Sequence, residues 1–165
     1  MKRNYLFIFA IIFMILSLGL AGCSKRPKQG EAVVTVTGKI GNTNRGDSYI
    51  LHQLDFATNA TTASYSDPWI KDTIVYKGLL LKDILKIVKP DSGATEMVFK
   101  NTNGQTYSVS IGDAQSWDIM LARWANDQLL FQDNGYPSKL VFPEVAKGEY
   151  GADQWAWWVN AIEIK

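Results

Sequence analysis

The side chains in this sequence that could do chemistry are few and far apart. The 165 residues contain one cysteine, Cys23, and one histidine, His52. That inventory excludes the usual zinc, copper, haem and iron–sulfur ligand sets, and no metal site is assigned. A Ser-His-Asp triad would have to use His52, which follows the apolar Ile50-Leu51, and no serine sits in a Gly-x-Ser-x-Gly elbow. His52 therefore reads as a structural or surface histidine. There is no phosphate-cradling glycine loop of the Walker or dinucleotide type. Two short runs, Asp67-Pro68-Trp69 and Asp153-Gln154-Trp155, set an acid two residues from an indole. A carboxyl group in an apolar pocket can have its pKa raised and act as a general acid. Turn-forming aspartates beside core aromatics are the favoured reading, and no catalytic residue is assigned.

The cluster Trp155-Ala156-Trp157-Trp158 is less ordinary. If residues 155 to 164 are extended, Trp155 and Trp157 share one face and Trp158 points to the other. Indoles on two faces can fill a core, which is the favoured reading, or line a cleft for a flat or sugar-like ligand.

The first 22 residues have a different purpose. Lys2 and Arg3 precede an apolar stretch from Tyr5 to Leu20, which ends in the small residues Ala21 and Gly22. Basic, apolar and small residues in that order form a secretory signal. Its apolar run of 16 residues is shorter than the roughly 20 that span a bilayer. Leu20-Ala21-Gly22-Cys23 resembles the lipobox of bacterial lipoproteins, in which the signal is cut before the cysteine. The resemblance implies a lipid on Cys23 and residence in the cell envelope, outside the cytoplasm. In a Gram-negative host, Ser24 in place of aspartate favours the outer membrane. Two or more acyl chains, at about 0.8 kcal/mol per buried methylene, anchor stably without a spanning helix.

Cleavage there leaves 143 of the 165 residues, enough for one domain with a core. With Lys2 and Arg3 removed, 15 Lys and Arg face 16 Asp and Glu, and no basic block recurs after Lys28, so nucleic acid is not an expected partner. Residues 23–31 form a polar, basic tether whose charge suits anionic headgroups. All six tryptophans lie in the domain, residues 32–165.

The positioning elements follow from local pattern. Ala32 to Gly38, dense in β-branched residues, predicts a first strand. Gly41 to Asp47 is a turn-rich loop, and Asp47 or Ser48 could cap a short helical turn through Leu51 and Leu54. Polar residues 57–67 hold at most part of an exposed strand. Ile74-Val75-Tyr76 predicts a short strand ending at Gly78, and the apolar spacing from Leu79 to Val88 predicts a helix that Pro90 stops. Glu96 to Lys100 and Gln105 to Ser110 flank an Asn-Gly pair that predicts a tight hairpin. Gly112 to Trp117 is a loop or helical turn. Ile119 to Trp124 predicts a buried strand followed by an Asn126-Asp127 turn. Asp133 to Pro137 is a turn cluster, and Leu140 to Phe142 and Val159 to Lys165 close the chain as strands. The expected fold class is α+β, mainly β.

Five of these pieces, in order, resemble the oxidoreductase molybdopterin-binding domain, the sulfite-oxidase-like fold. They are Tyr76-Lys77-Gly78-Leu79-Leu80-Leu81-Lys82-Asp83-Ile84-Leu85, the hairpin ending in Tyr107-Ser108-Val109-Ser110, Ile119-Met120-Leu121-Ala122, Gly135-Tyr136-Pro137-Ser138-Lys139-Leu140-Val141-Phe142-Pro143, and Trp155 to Ile164. The resemblance implies a mixed α+β fold around a molybdenum–pterin cofactor. It also implies a metal-binding cysteine upstream of the aromatic-x-Gly motif, near Thr61 to Asp67, where this sequence has none. Lys139 stands where the family has an arginine, keeping the charge but losing the bidentate fork that suits phosphate. Arg45 and Arg123 are the only arginines of the domain.

The expectation is a lipid-anchored extracytoplasmic binding or accessory module with no cofactor, its cleft lined by Tyr65, Asp67, Trp69 and Lys139. Its partners are the membrane, through the anchor, and an unidentified small ligand or protein. One alternative is a molybdopterin-dependent oxidoreductase with an oxygen ligand in place of the cysteine. Another is a structural or interaction lipoprotein with its tryptophans packed inside.

Overall fold

A computed structural model describes residues 29–165. Cys23, the signal sequence and most of the tether lie outside the described residues. Among the described residues no helix is long and apolar enough to cross a membrane.

Ten strands form two sheets. The first has the order β2-β1-β10-β5-β6, built from β1 (Ala32–Gly38), β2 (Tyr49–His52), β5 (Glu96–Asn101), β6 (Thr106–Ser110) and β10 (Val159–Ile164). The second has the order β3-β4-β7-β8, from β3 (Thr61–Asp67), β4 (Asp72–Leu80), β7 (Met120–Ala125) and β8 (Gln128–Leu129), with β9 (Lys139–Val141) also pairing β7. The one parallel pairing in these sheets joins the first and last strands of the described residues: β1 runs along β10 with Thr35 opposite Ala161 and Gly38 opposite Ile164. Among the described residues three short helices, α1 (Gln53–Asn59), α2 (Leu81–Val88) and α3 (Ile111–Ser116), complete the α+β, mainly-β architecture.

Helix α2 forms where its pattern predicts it. Leu81, Ile84, Leu85 and Val88 are all buried, at the i, i+3, i+4, i+7 spacing of one helical face. The helix ends at Lys89, in the left-handed region at φ 52°, where its N–H donates to the Leu85 carbonyl just before Pro90. Gly78 just upstream is fixed by contact: a Cβ there would stand 2.2 Å from the Leu121 carbonyl oxygen, where β4 shifts register against β7. The aromatic-x-Gly motif is therefore a packing requirement of the second sheet. Asn126 and Asp127, at φ 49° and 63°, form the two-residue turn between β7 and β8, as type I′ hairpins demand.

Three local expectations change. Leu51 lies in a strand, with Ile50 and Leu51 opposite Thr35 and Val34, and the helix begins only at Gln53. The Arg45–Ser48 turn closes by backbone hydrogen bonds of 3.1 Å and feeds the chain straight into β2, while Asp55 supplies the helix start by accepting from the His52 N–H at 2.7 Å. Residues 61–67 form a complete strand, because each is paired across to β4. The β5–β6 turn is wider than a two-residue Asn-Gly turn. The Asn101 side-chain oxygen accepts from the N–H groups of Asn103 and Gln105 at 3.0 and 2.9 Å, organising the turn from its base.

Candidate functional site

One end of the second sheet carries a buried charge pair. Asp67 closes β3, Tyr76 lies on β4 and Lys139 opens β9. The Lys139 ammonium donates to Asp67 Oδ2 at 2.6 Å and to the Tyr76 hydroxyl at 3.1 Å, and Tyr76 donates to the same carboxylate oxygen at 2.6 Å. The other carboxylate oxygen accepts from the backbone N–H groups of Trp69 and Ile70 at 2.8 and 3.0 Å. The two charged side chains are 1% and 0% exposed. Lys139 is placed by the Gly-x-Pro run. Gly135 takes φ 113°, a region open to glycine, and a Cβ there would meet the Lys139 Cβ at 3.0 Å.

Burial works against both charges, with different outcomes. Desolvation would raise the Asp67 pKa, but hydrogen bonds from Lys139, Tyr76 and Ile70 outweigh it and hold the carboxyl below its ordinary range. Desolvation pushes Lys139 below the usual lysine value, with the Asp67 hydrogen bond and charge opposing. Burial, then the hydrogen bond and charge of Asp67, raise the Tyr76 phenol and keep it protonated.

Aromatic rings surround the ammonium. It lies 4.3 Å from the Trp157 ring centroid, 5.5 Å from Trp155 and 5.3 Å from Tyr76. Beyond this shell is a cleft of about 310 Å³ lined by Trp69, Asn101, Tyr107, Asp153, Trp155, Trp157 and Trp158. Residues 155–158 belong to no strand, since β10 begins only at Val159. Trp158 takes φ 61°, so Trp158 turns into the same cleft as Trp155 and Trp157 instead of alternating away. A bulky residue in this region costs on the order of 1–3 kcal/mol. Two contacts hold it there: the Thr102 N–H donates to the Trp158 carbonyl at 3.0 Å, and the Trp158 indole N–H donates to the Gln132 carbonyl.

Of the residues expected to line a cleft, Trp69 does so, 57% exposed and held by its indole N–H on the Ala152 carbonyl at 3.0 Å. Asp67 and Lys139 are brought together, but behind the aromatic wall as the buried pair. Tyr65 is buried in the core, its hydroxyl donating to the Asp118 carbonyl at 2.6 Å and its ring edge-on to Tyr76 at 6.2 Å. Tyr107 and Asn101 complete the cleft without any local sequence signal for doing so, together with Asp153. The Asp-x-Trp spacing marked both Asp67 and Asp153, and one became a buried counter-ion and the other a rim carboxylate. His52 keeps a structural position, its Nδ1 3.3 Å from the Gly30 carbonyl oxygen.

A second cation is also spent inside. Arg123, fully buried on β7, donates to the Pro137 carbonyl at 2.9 Å and to Glu31 at 3.0 Å, with its Nε unpartnered. Tyr136 donates to the same Glu31 carboxylate and stacks 5.4 Å from the guanidinium. Among the described residues, no three of His, Cys, Asp or Glu gather as a metal would require.

Residues 51–165 match the family model described as the oxidoreductase molybdopterin-binding domain. The chain belongs to that family. No curated protein matches it. Among solved structures it is similar to the sulfane dehydrogenase SoxCD of Paracoccus pantotrophus, at 16% identity and a TM-score of 0.65 over 84% of this chain. It spans 39% of that longer chain, so the likeness is one of fold. The molybdopterin-binding-domain match begins inside β2, yet β1 also belongs to the first sheet, through its parallel pairing with β10.

Proposed function

We propose that this protein is anchored by a lipid on Cys23 at the outer face of a membrane, and uses the molybdopterin-binding-domain fold as a binding or accessory module without molybdenum chemistry. The observation that carries the reading is the Lys139–Asp67 pair. The lysine of the Gly-x-Pro run, which keeps the charge of the family's arginine, points inward and is neutralised at 2.6 Å. Arg123 is likewise engaged by Glu31 and Pro137, and Arg45 is an exposed residue of the β1–β2 loop. The cleft lining holds the Asp153 carboxylate and neither Lys nor Arg. The only cysteine of the sequence precedes the domain. These residues do not fit an anionic molybdenum–pterin group, which asks for free cations and a thiolate.

The exposed Trp69 and half-buried Trp157 and Trp158 support a binding role over an interaction lipoprotein with all indoles packed inside. Membership in the family favours a second reading, an oxidoreductase whose metal is held through oxygen by Ser64, Ser66 or Asp67. Elemental mass spectrometry on protein purified in its exported form from a molybdenum-replete host separates the two. The expected ratio of molybdenum to protein is near zero. A ratio near one overturns the binding-module reading.

A further inference from the structure

The aromatic cleft joins stacking faces to unspent hydrogen-bonding capacity. We propose that it takes a neutral pyranose ring of a glycan, laid on an indole face and hydrogen-bonded by Asp153 and the Trp155 indole N–H. The proposal deepens the binding-module reading and rests on it.

The Trp69 and Trp158 indole N–H groups are paired with backbone carbonyls. Trp155, only 3% exposed, finds no acceptor among the described residues. Yet the sealed side-chain polar atoms without a partner among those residues comprise Arg123 Nε alone. The Trp155 ring lines the cleft, and an N–H of that wall with no acceptor among the described residues asks for one from a ligand. Asp153 supplies the complementary capacity. It is exposed, and its carboxylate meets only its neighbour Gln154, at 3.5 Å. Asn101, on the cleft wall, has its side chain satisfied within its own turn.

Charge narrows the ligand further. An anion meets Asp153 and no lining cation. A ligand cation would share the Trp157 ring with the ammonium already 4.3 Å from its centroid, so the attraction such rings usually offer is engaged from behind. Trp157 and Trp158 are tilted by 58° at 5.9 Å, an open wedge and not a parallel slot for a flat ring. A pyranose matches all three constraints. Its C–H face lies on one indole, its hydroxyls donate to Asp153, and a hydroxyl or ring oxygen accepts from Trp155. Trp158, held at φ 61° by Thr102 and Gln132, is fixed before a ligand arrives, which lowers the cost of binding.

The test is calorimetric titration of the full exported protein in detergent with maltotriose, cellotriose and chitotriose, alongside benzyltrimethylammonium and neopterin. At least one trisaccharide is expected to bind and to shift the tryptophan fluorescence. Trp69→Ala and Asp153→Asn, both at exposed positions, are each expected to weaken it about tenfold while the far-UV circular dichroism is unchanged. Three results would overturn the proposal: no trisaccharide binding at about 10 mM, binding indifferent to both substitutions, or tighter binding of the ammonium or the pterin. Molybdenum-free protein that ignores all three sugars defeats the glycan and leaves the binding-module reading standing. A molybdenum ratio near one defeats that reading itself.

Discussion

Lys139 and Asp67, 72 positions apart in sequence, meet at 2.6 Å with their side chains 1% and 0% exposed. Neither charge reaches solvent: Lys139 donates only to Asp67 and Tyr76, while Asp67 accepts from both of them and from the Trp69 and Ile70 N–H groups.

Breaking that pair from one side leaves an uncompensated buried charge. Lys139→Met alone is expected to destabilise the fold by about 3–5 kcal/mol, read as a lower urea midpoint at unchanged slope. Lys139→Met with Asp67→Asn should recover most of the loss, because the neutral amide removes the unpaired charge and keeps an acceptor for the Trp69 and Ile70 N–H groups. A double variant no more stable than the single one would show that the charges are worth more together than their burial costs.

The same carboxylate sets an acid limb. Its folded pKa lies below the ordinary 3.8, so the unfolded chain binds the proton first. The stability it contributes is therefore complete above the unfolded value and drains away as pH falls through the depressed folded one. Urea titrations between about pH 5 and pH 2 should show a steeper loss in the native protein than in Asp67→Asn, whose amide does not titrate. Equal slopes would remove Asp67 as the source.

Gly78→Ala should be among the most damaging single changes in the domain. The added Cβ would stand 2.2 Å from a backbone oxygen of β7, which cannot rotate away as a flexible side chain would. A loss of about 3 kcal/mol or more, or failure to fold, is expected. Gly104→Ala is the control in the β5–β6 turn, where the new methyl meets nothing within 4 Å and only the φ of 82° is strained.

Anchoring can be checked apart from the domain. Cys23→Ala should move the protein from the membrane fraction to the soluble extracytoplasmic fraction while leaving the unfolding midpoint of the domain unchanged, since the lipid and not the fold holds it to the bilayer. Protein that stays membrane-bound after the change would place the anchor elsewhere.

Much of this was legible along the chain. Helix α2, the Asn126-Asp127 turn and the strands β7, β9 and β10 were written in local periodicity and turn chemistry, which act over a few residues. The order of five motifs pointed to the sulfite-oxidase-like fold, and the family match bears that out. The strand at 61–67 was obscure because it is polar, and only its pairing with β4 makes it a strand.

What the sequence by itself determined was a mainly-β domain with a family's spacing of motifs, one cysteine outside the domain and an unusual density of indoles near its end. What only the tertiary structure decided was the environment of each candidate. Asp67 and Asp153 carry the same local signal, yet Asp67 ends a strand beneath Lys139 and Asp153 stands on the cleft rim. Trp158 would alternate away from Trp157 in any regular strand, and a positive φ held by distant Thr102 and Gln132 brings them together. Burial, charge pairing and backbone strain are set by residues from other parts of the chain. No local pattern records them.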